Sequence, residues 1–161
     1  MAIDAFLKFE GPECKGDSVG EGHAGEIDLL AYSWGMSQSG TMHQATGGGA
    51  GKVNVQDLSF THYVDSASVN LVKYCCTGQH IDKVTLVLQK AGGKALPYLT
   101  LVMESVIVTS VSAGASSGED RQTENVTLNF AKFKLSYQPQ DAKGGKKGGA
   151  IEAQYDIAKN V

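Results

Sequence analysis

Apolar residues recur at every second position over most of this chain. Ile3, Ala5, Leu7 and Phe9 alternate with Asp4, Phe6 and Lys8, which predicts a first strand, because successive side chains of a strand point to opposite faces. Residues 26–38 predict a second. Ile27, Leu29 and Ala31 share one face, and Leu30, Tyr32, Trp34 and Met36 lie mostly on the other. Both faces are largely apolar, which places the strand at the centre of a sheet or beneath another chain. In residues 52–64 the apolar set runs Val53 and Val55, then Leu58, Phe60 and Val64. Its parity changes, so a third strand bends near Gln56 and Asp57. Residues 83–89 and 98–111 predict two more strands joined by the turn Ala91-Gly92-Gly93-Lys94. Residues 112–120 are small and polar and predict a loop. A glycine- and lysine-rich link over 143–149 leads to a last strand over 150–157.

Residues 124–138 organise the rest. Val126, Leu128 and Phe130 are apolar at even positions, whereas Phe133, Leu135 and Tyr137 are apolar at odd ones. A regular strand with one dry face cannot change parity. Either a bulge at Ala131-Lys132 inserts one residue, or the strand passes from one packing environment into another.

One segment breaks the period of two. After the cap residues Asp65-Ser66-Ala67-Ser68, Val69, Val72 and Cys76, with Leu71 and Cys75 beside them, recur at helical spacing until Gly78. A helix this short is not stable alone, so its apolar face closes something, a barrel mouth being the natural candidate. Regular strands with one helix and no internal repeat predict a mainly β fold, an antiparallel barrel or sandwich of two sheets with one flanking α-helix. The 161 residues form a single domain, 1–161.

Composition changes this picture at three points. Glycine is abundant, 20 residues, or about 12% against a usual 7%. Fixing the backbone of the run 47–51 costs about 5–10 kcal/mol, so residues 40–52 are expected to be ordered only by something that docks on them. The formal net charge of −3 argues against nucleic acid as the main partner, which needs a basic patch. No stretch approaches the roughly 20 apolar residues of a membrane span, and the N-terminus lacks the basic start and apolar block of a signal peptide. Cys14, Cys75 and Cys76 are odd in number and two are adjacent. They read as reduced thiols of a chain folded in the cytoplasm.

No catalytic or metal motif emerges. The glycine run ending at Lys52 fails as a phosphate loop, because Thr46 stands where the first glycine belongs and Val53 follows the lysine. Ala31-Tyr32-Ser33-Trp34-Gly35 half-matches a nucleophile elbow but runs on as a strand with no helix behind it, so Ser33 reads as a buried or interface serine. His23, His43, His62 and His80 share no ligand spacing. Asp4, Asp57, Glu104 and Asp156 lie on different elements with no pairing logic. No catalytic, cofactor-binding or metal-binding residue is expected. Strands with two apolar faces, a costly loop and parity breaks suit a chain that meets copies of itself.

Four blocks carry a family resemblance: residues 24–30 (AGEIDLL), 33–40 (SWGMSQSG), 49–58 (GAGKVNVQDL), and Gly118-Glu119-Asp120 followed by 124–138. In this order they resemble the haemolysin-coregulated protein family, the tube subunit of the bacterial type VI secretion system. The likeness spans nearly the whole chain. It departs over 11–18, longer than the usual turn there, and at Val69, where many members have proline. The resemblance implies a β-barrel with a flanking helix, homohexameric rings stacked into a hollow tube, and a contractile sheath and spike as partners. It further implies small effector proteins held in the lumen, and export from the cytoplasm by type VI secretion. On that basis the loop Gly47, Gly48, Gly49, Ala50, Gly51 and Lys52 is expected to contact the next subunit or ring. Gly92 and Gly93 are expected on one stacking face, with Ala158 and Lys159 on the other. Ser112, Ala113 and Ser116 are candidates for the lumen. The alternative is a secreted effector or ligand-binding β-barrel that acts as a monomer.

Overall fold

A computed structural model of the chain describes residues 3–40, 42, 43, 49, 51–91 and 95–161. Its elements in chain order are β1 (Ile3–Glu10), β2 (Ile27–Asp28), β3 (Ala31–Ser33), β4 (Met36–Gln38), β5 (Val53–Val55), β6 (Leu58–Tyr63), α1 (Ala67–Thr77), β7 (Ile81–Lys90), β8 (Pro97–Gly114), β9 (Thr123–Tyr137) and β10 (Ile151–Asp156). All ladders are antiparallel, in the order β2-β1-β7-β8-β9-β6-β3, with β10 added beside β9 and β4-β5 as a second small sheet. The main sheet curls, and one short segment joins its two ends. Ile27 and Asp28 pair with β1, and Ala31–Ser33 pair with β6. Between them Leu29 N–H donates to Ala5 O at 2.9 Å and Leu30 N–H to Thr61 O at 2.8 Å. The mainly β, antiparallel barrel with a small second sheet and one helix is therefore as expected. Leu7, Phe60, Leu71, Met103, Val106 and Leu128 fill its interior.

The expected strand over 26–38 is three strands. Its backbone bonds serve three neighbours in turn, β1, β6 and β5, and no single ladder can do that. It is not central either, because β3 stands at the end of the sheet order. The bend at Gln56 and Asp57 is the point where the chain leaves the small sheet, with Gln56 N–H donating to Gly35 O at 2.9 Å, and enters the large one.

The parity change in β9 is real, and β8 shares it. In β9 Val126, Leu128 and Phe130 are buried, then Phe133; in β8 Leu101 and Met103 are buried, then Val106 and Val108. Ser105, with φ +55°, is the residue at which β8 turns over. The register is the same on both sides of it, Glu104↔Lys132 and Val106↔Phe130. No residue is inserted at Ala131-Lys132. Both strands turn over together, and here β9 exchanges its second neighbour, β6 along its first half for β10 along Lys132–Tyr137. The change of packing environment is the reading that holds. An extra residue does occur higher in β8, where Val108 pairs Leu128 but Ser110 pairs Thr127, leaving Thr109 as a bulge. Because its ladder with β9 continues, β8 also reaches Gly114, so Ser112 and Ala113 are strand residues rather than loop.

Helix α1 buries a different face from the one expected. Ala67, Ser68 and Leu71 point inward, with Tyr74 and Cys75 half-buried beside them. Val69 (78% exposed), Val72 (48%) and Cys76 point out. Ala67, Leu71, Tyr74 and Cys75 recur at spacings of four, three and one, which is as good a helical stripe as 69, 72 and 76. The tie is broken by the loop after β1: Tyr74 OH donates to Glu13 O at 3.2 Å, and Asp17 accepts from both the N–H and the hydroxyl of Ser66. The helix ends as expected, on Gly78 in the left-handed region, whose N–H donates to Tyr74 O at 3.0 Å.

Candidate assembly surface

The outward side of β3, β6, β9 and β8 carries mostly small polar side chains. Register sets it in rows. Ala31, Thr61, Asn125 and Ser112 lie side by side, and Ser33, Ser59, Thr127 and Ser110 form the next row. Asp57 and Asn129 continue it, Asn129 Nδ2 donating to Asp57 Oδ1 at 2.8 Å, and Ile107 (39% exposed), which pairs Asn129, is the apolar member at this edge. The row between the first two, Phe60, Val126 and Val111, faces the core side. Alternation on four aligned strands thus builds a wall of hydroxyls and amides over a dry interior.

These side chains hold each other. Thr61 Oγ1 donates to Asn125 Oδ1. Thr109 Oγ1, on the bulge residue, donates to Asp57 Oδ2 at 2.8 Å. A hydroxyl has one proton to give, so at the 2.7 Å contact between Thr109 and Thr127 the Thr127 hydroxyl is the donor. The bulge therefore aims Thr109 at Asp57, the single charged group in these rows. Beyond the turnover at Ser105 the outer surface changes character. Lys132 faces Glu104 at 3.6 Å, Lys134 faces Glu152 at 3.1 Å and Lys83 faces Glu10 at 3.8 Å. These pairs are half-exposed and mark a solvated surface; such pairs are worth about 0–1 kcal/mol each.

Apolar side chains line two clefts elsewhere on the surface. Where β7 finishes and β8 begins, Ile3 (57% exposed), Leu30 (51%) and Tyr32 border a cavity of about 380 Å³ that Leu88, Tyr98 and Leu99 also line. Between the small sheet and β9-β10, a groove of about 310 Å³ is lined by Met36, Val53, Val55, Phe133, Leu135 and Tyr155. Trp34 borders it, packed edge-on to Phe133 at 5.1 Å.

The residues singled out from sequence fall as follows. Gly51 and Lys52 lead into β5, and Gly49 lies in the link between β4 and β5, while Gly47, Gly48 and Ala50 lie outside the described residues. A Cβ on Gly51 would collide with Ser39 Oγ and O, so at Gly51 the chain passes the residue after β4 too closely for any side chain. Gly92 and Gly93 also lie outside the described residues. Ala158 and Lys159 follow β10 beside the turnover, Ala158 N–H donating to Ala131 O at 3.4 Å and Lys159 N–H to Asp156 Oδ1 at 3.0 Å. Ser112 belongs to the polar wall. Ala113 does not: it pairs Glu124, on the core-side parity. Ser116 sits in the turn after β8, its carbonyl accepting from Glu119 N–H at 3.2 Å.

Ser33 is exposed in β3 rather than buried, and pairs Ser59 across the sheet. The wall residues of β3 and β6 were legible only as the polar half of each alternation; what assembles them is register. Among the described residues no group of three or more His, Cys, Asp and Glu could hold a metal, and no helix is long and apolar enough to cross a membrane.

Comparison with known proteins places this architecture. Residues 6–137 match the family described as "Type VI secretion system effector, Hcp". The chain is 53% identical over 162 aligned residues to Protein hcp1 of Pseudomonas aeruginosa, covering 100% of this chain and 99% of the relative. The crystal structure of Hcp1 from Salmonella typhimurium is 40% identical and superposes with a TM-score of 0.81 over 99% of this chain and 98% of that one. A second structure, described as a type six secretion system protein, superposes at 0.91 with 28% identity, covering 99% of both chains. The chain belongs to the Hcp family of type VI secretion proteins.

Proposed function

We propose that this chain is the subunit of a type VI secretion inner tube. Six copies close into a ring, rings stack into a hollow tube, and the tube leaves the bacterial cytoplasm within a contractile sheath and behind a spike. The observation that carries this reading is the division of the surface. One wall is built of small hydroxyl and amide side chains from four strands. Apart from Ile107 at the edge of that wall, the apolar clefts lie away from it, at Ile3, Leu30 and Tyr32 and at the groove beside Met36. A closed ring needs a heterologous contact, one surface of a subunit against a different surface of the next, and it leaves a third surface for the hole. The apolar sites suit the contacts. The wall suits a lumen that holds small effector proteins and lets them go, because neutral hydroxyls and amides bind through exchangeable hydrogen bonds rather than buried apolar area. Ser112 is the member of that wall among the residues expected at the lumen. We assign Gly51 and Lys52 of the hairpin link, and Ala158 and Lys159 after β10, to the subunit and stacking contacts.

The test is the solution mass by light scattering, with particle images of the same sample. A hexameric mass with annular particles is expected. A clean monomer at high concentration would overturn autonomous ring assembly and favour the alternative, a barrel that acts alone as an effector or ligand-binding module.

A further inference from the structure

One buried polar cluster takes no part in the surfaces above. His62 on β6 and Glu124 on β9 are directly opposite in the ladder, and both are closed to solvent, at 0% and 2% exposure. Imidazole Nε2 and Glu124 Oε1 are 2.6 Å apart. On the other side of the ring, Nδ1 stands 3.7 Å from Asp65 Oδ2. Asp65 belongs to the turn that starts α1. Its Oδ1 accepts from Ala67 N–H at 2.9 Å, and its own N–H donates to Ser68 Oγ at 3.0 Å. Cys14, from the loop after β1, donates its thiol proton to Ala67 O at 3.5 Å. Next to it Asp17 accepts from Ser66. The Phe60 ring lies 5.6 Å from the imidazole. Three elements thus meet on one histidine, and the charged or titratable groups around it are Glu124, Asp65 and the Cys14 thiol.

We propose that Glu124, His62 and Asp65 form a proton-linked latch, which holds the start of α1 and the loop after β1 against the barrel while His62 is protonated on both nitrogens and loosens when it is not. The chemistry follows from the inventory of protons. With both nitrogens protonated, Nε2–H donates to Glu124 and Nδ1–H faces the Asp65 carboxylate. The cluster then carries one net negative charge. Loss of the Nδ1 proton turns a lone pair toward Asp65 and leaves two buried carboxylates against a neutral ring, an arrangement that burial penalises. Asp65 is the carboxylate that makes no direct hydrogen bond to the ring, and it holds the first turn of the helix. Burial opposes the charge on His62, but the charge of Asp65 and the charge and hydrogen bond of Glu124 outweigh it, so the imidazolium persists above the ordinary histidine range. A histidine pKa raised in the fold adds stability that is fully present below about pH 6.5 and is lost as pH rises through the raised value.

The experiment is hydrogen exchange on the full chain from about pH 6 to about pH 9, read by mass spectrometry and corrected for the intrinsic pH dependence of amide exchange. The peptide spanning 65–77 is expected to lose protection about tenfold or more over that range in the wild type. In His62→Gln its protection is expected to stay flat, whereas β7 peptides behave alike in both proteins. Constant protection of 65–77 in the wild type, or an equal loss in His62→Gln, overturns the latch. Should His62→Gln fail to fold, the imidazole nitrogen shifts of the wild-type protein decide. Two protonated nitrogens on His62 at neutral pH are expected, and a neutral ring at about pH 6 overturns the proposal.

Discussion

Cys14 and Cys76 show how far one residue type depends on its surroundings. Burial, with the charges of Asp65 and Glu124 beside it, pushes the Cys14 thiol up to about 12. The thiolate is the reactive form, so at neutral or mildly alkaline pH Cys14 is expected to resist an alkylating reagent until the chain unfolds. Cys76 is exposed on the outer side of α1 and is expected to react at once; intact mass before and after denaturant distinguishes the two. Above about pH 9 the unfolded chain gives up the Cys14 proton while the fold keeps it, so stability falls with rising pH there, and Cys14→Ala should flatten that limb of a denaturation series. The sequence indicated reduced thiols from their odd count and spacing. It could not separate a core thiol from a surface one, because Cys14 lies in a glycine-rich loop whose folding back onto α1 no periodicity reveals. Gly51 is a second case. The glycine run suggested freedom, yet Gly51 is fixed by close approach to Ser39. Gly51→Ala is expected to destabilise the chain by about 1–3 kcal/mol, measured by urea midpoint, whereas glycines required only for freedom would tolerate the change.

At the scale of elements, the alternation gave the strands and register decided what they do. The parity break in 124–138 was visible in the sequence, and so was the bend at Gln56. The matching break at Ser105 was not, because the serine and its neighbours are individually compatible with a regular strand. Nor could the cut of residues 26–38 into three be read, since it depends on three neighbours distant in the chain. The helix was read in place and length but on the wrong face, two stripes of equal quality competing for the core. That correction is testable with a pair of variants. Leu71→Ala removes a side chain at 0% exposure and is expected to cost about 2–5 kcal/mol. Val72→Ala, next to it but half-exposed, is expected to cost under about 1 kcal/mol. Denaturant titration of both should show only the first shifting. Equal shifts would mean that α1 is rotated, or that Val72 is covered by another copy under the conditions used.

For the whole molecule, the question is which surface meets the next copy and which stays open, and two substitutions put it to the test. Asn125 sits in the middle of the polar wall, held by the Thr61 hydroxyl and otherwise exposed. Asn125→Arg loses that one bond, worth about 0.5–1.5 kcal/mol, and has room to point away from the sheet. If the wall faces an open lumen, six added arginines change the surface of a hole and leave the mass of the ring as it was. Leu30 lies half-exposed on the apolar rim, between its backbone bond to β6 and the cavity that Tyr98 and Leu99 line. Leu30→Glu leaves the monomer folded, because the side chain already reaches solvent. It sets a charge against whatever covers that rim in an assembly, and an unpaired charge buried in an interface costs several kcal/mol. Light scattering of the two variants at equal concentration is therefore expected to show a wild-type mass for Asn125→Arg and a shift toward monomer, or toward unstacked rings, for Leu30→Glu. The opposite result, an intact assembly with Leu30→Glu and a monomer with Asn125→Arg, would place the hydroxyl wall between subunits and the apolar rim on the free surface. The lumen would then have to be sought on the charged side, along Lys132, Lys134 and their partners Glu104 and Glu152. Cargo retention would then rest on charge and weaken steeply with salt, whereas a wall of hydroxyls and amides predicts retention nearly indifferent to ionic strength.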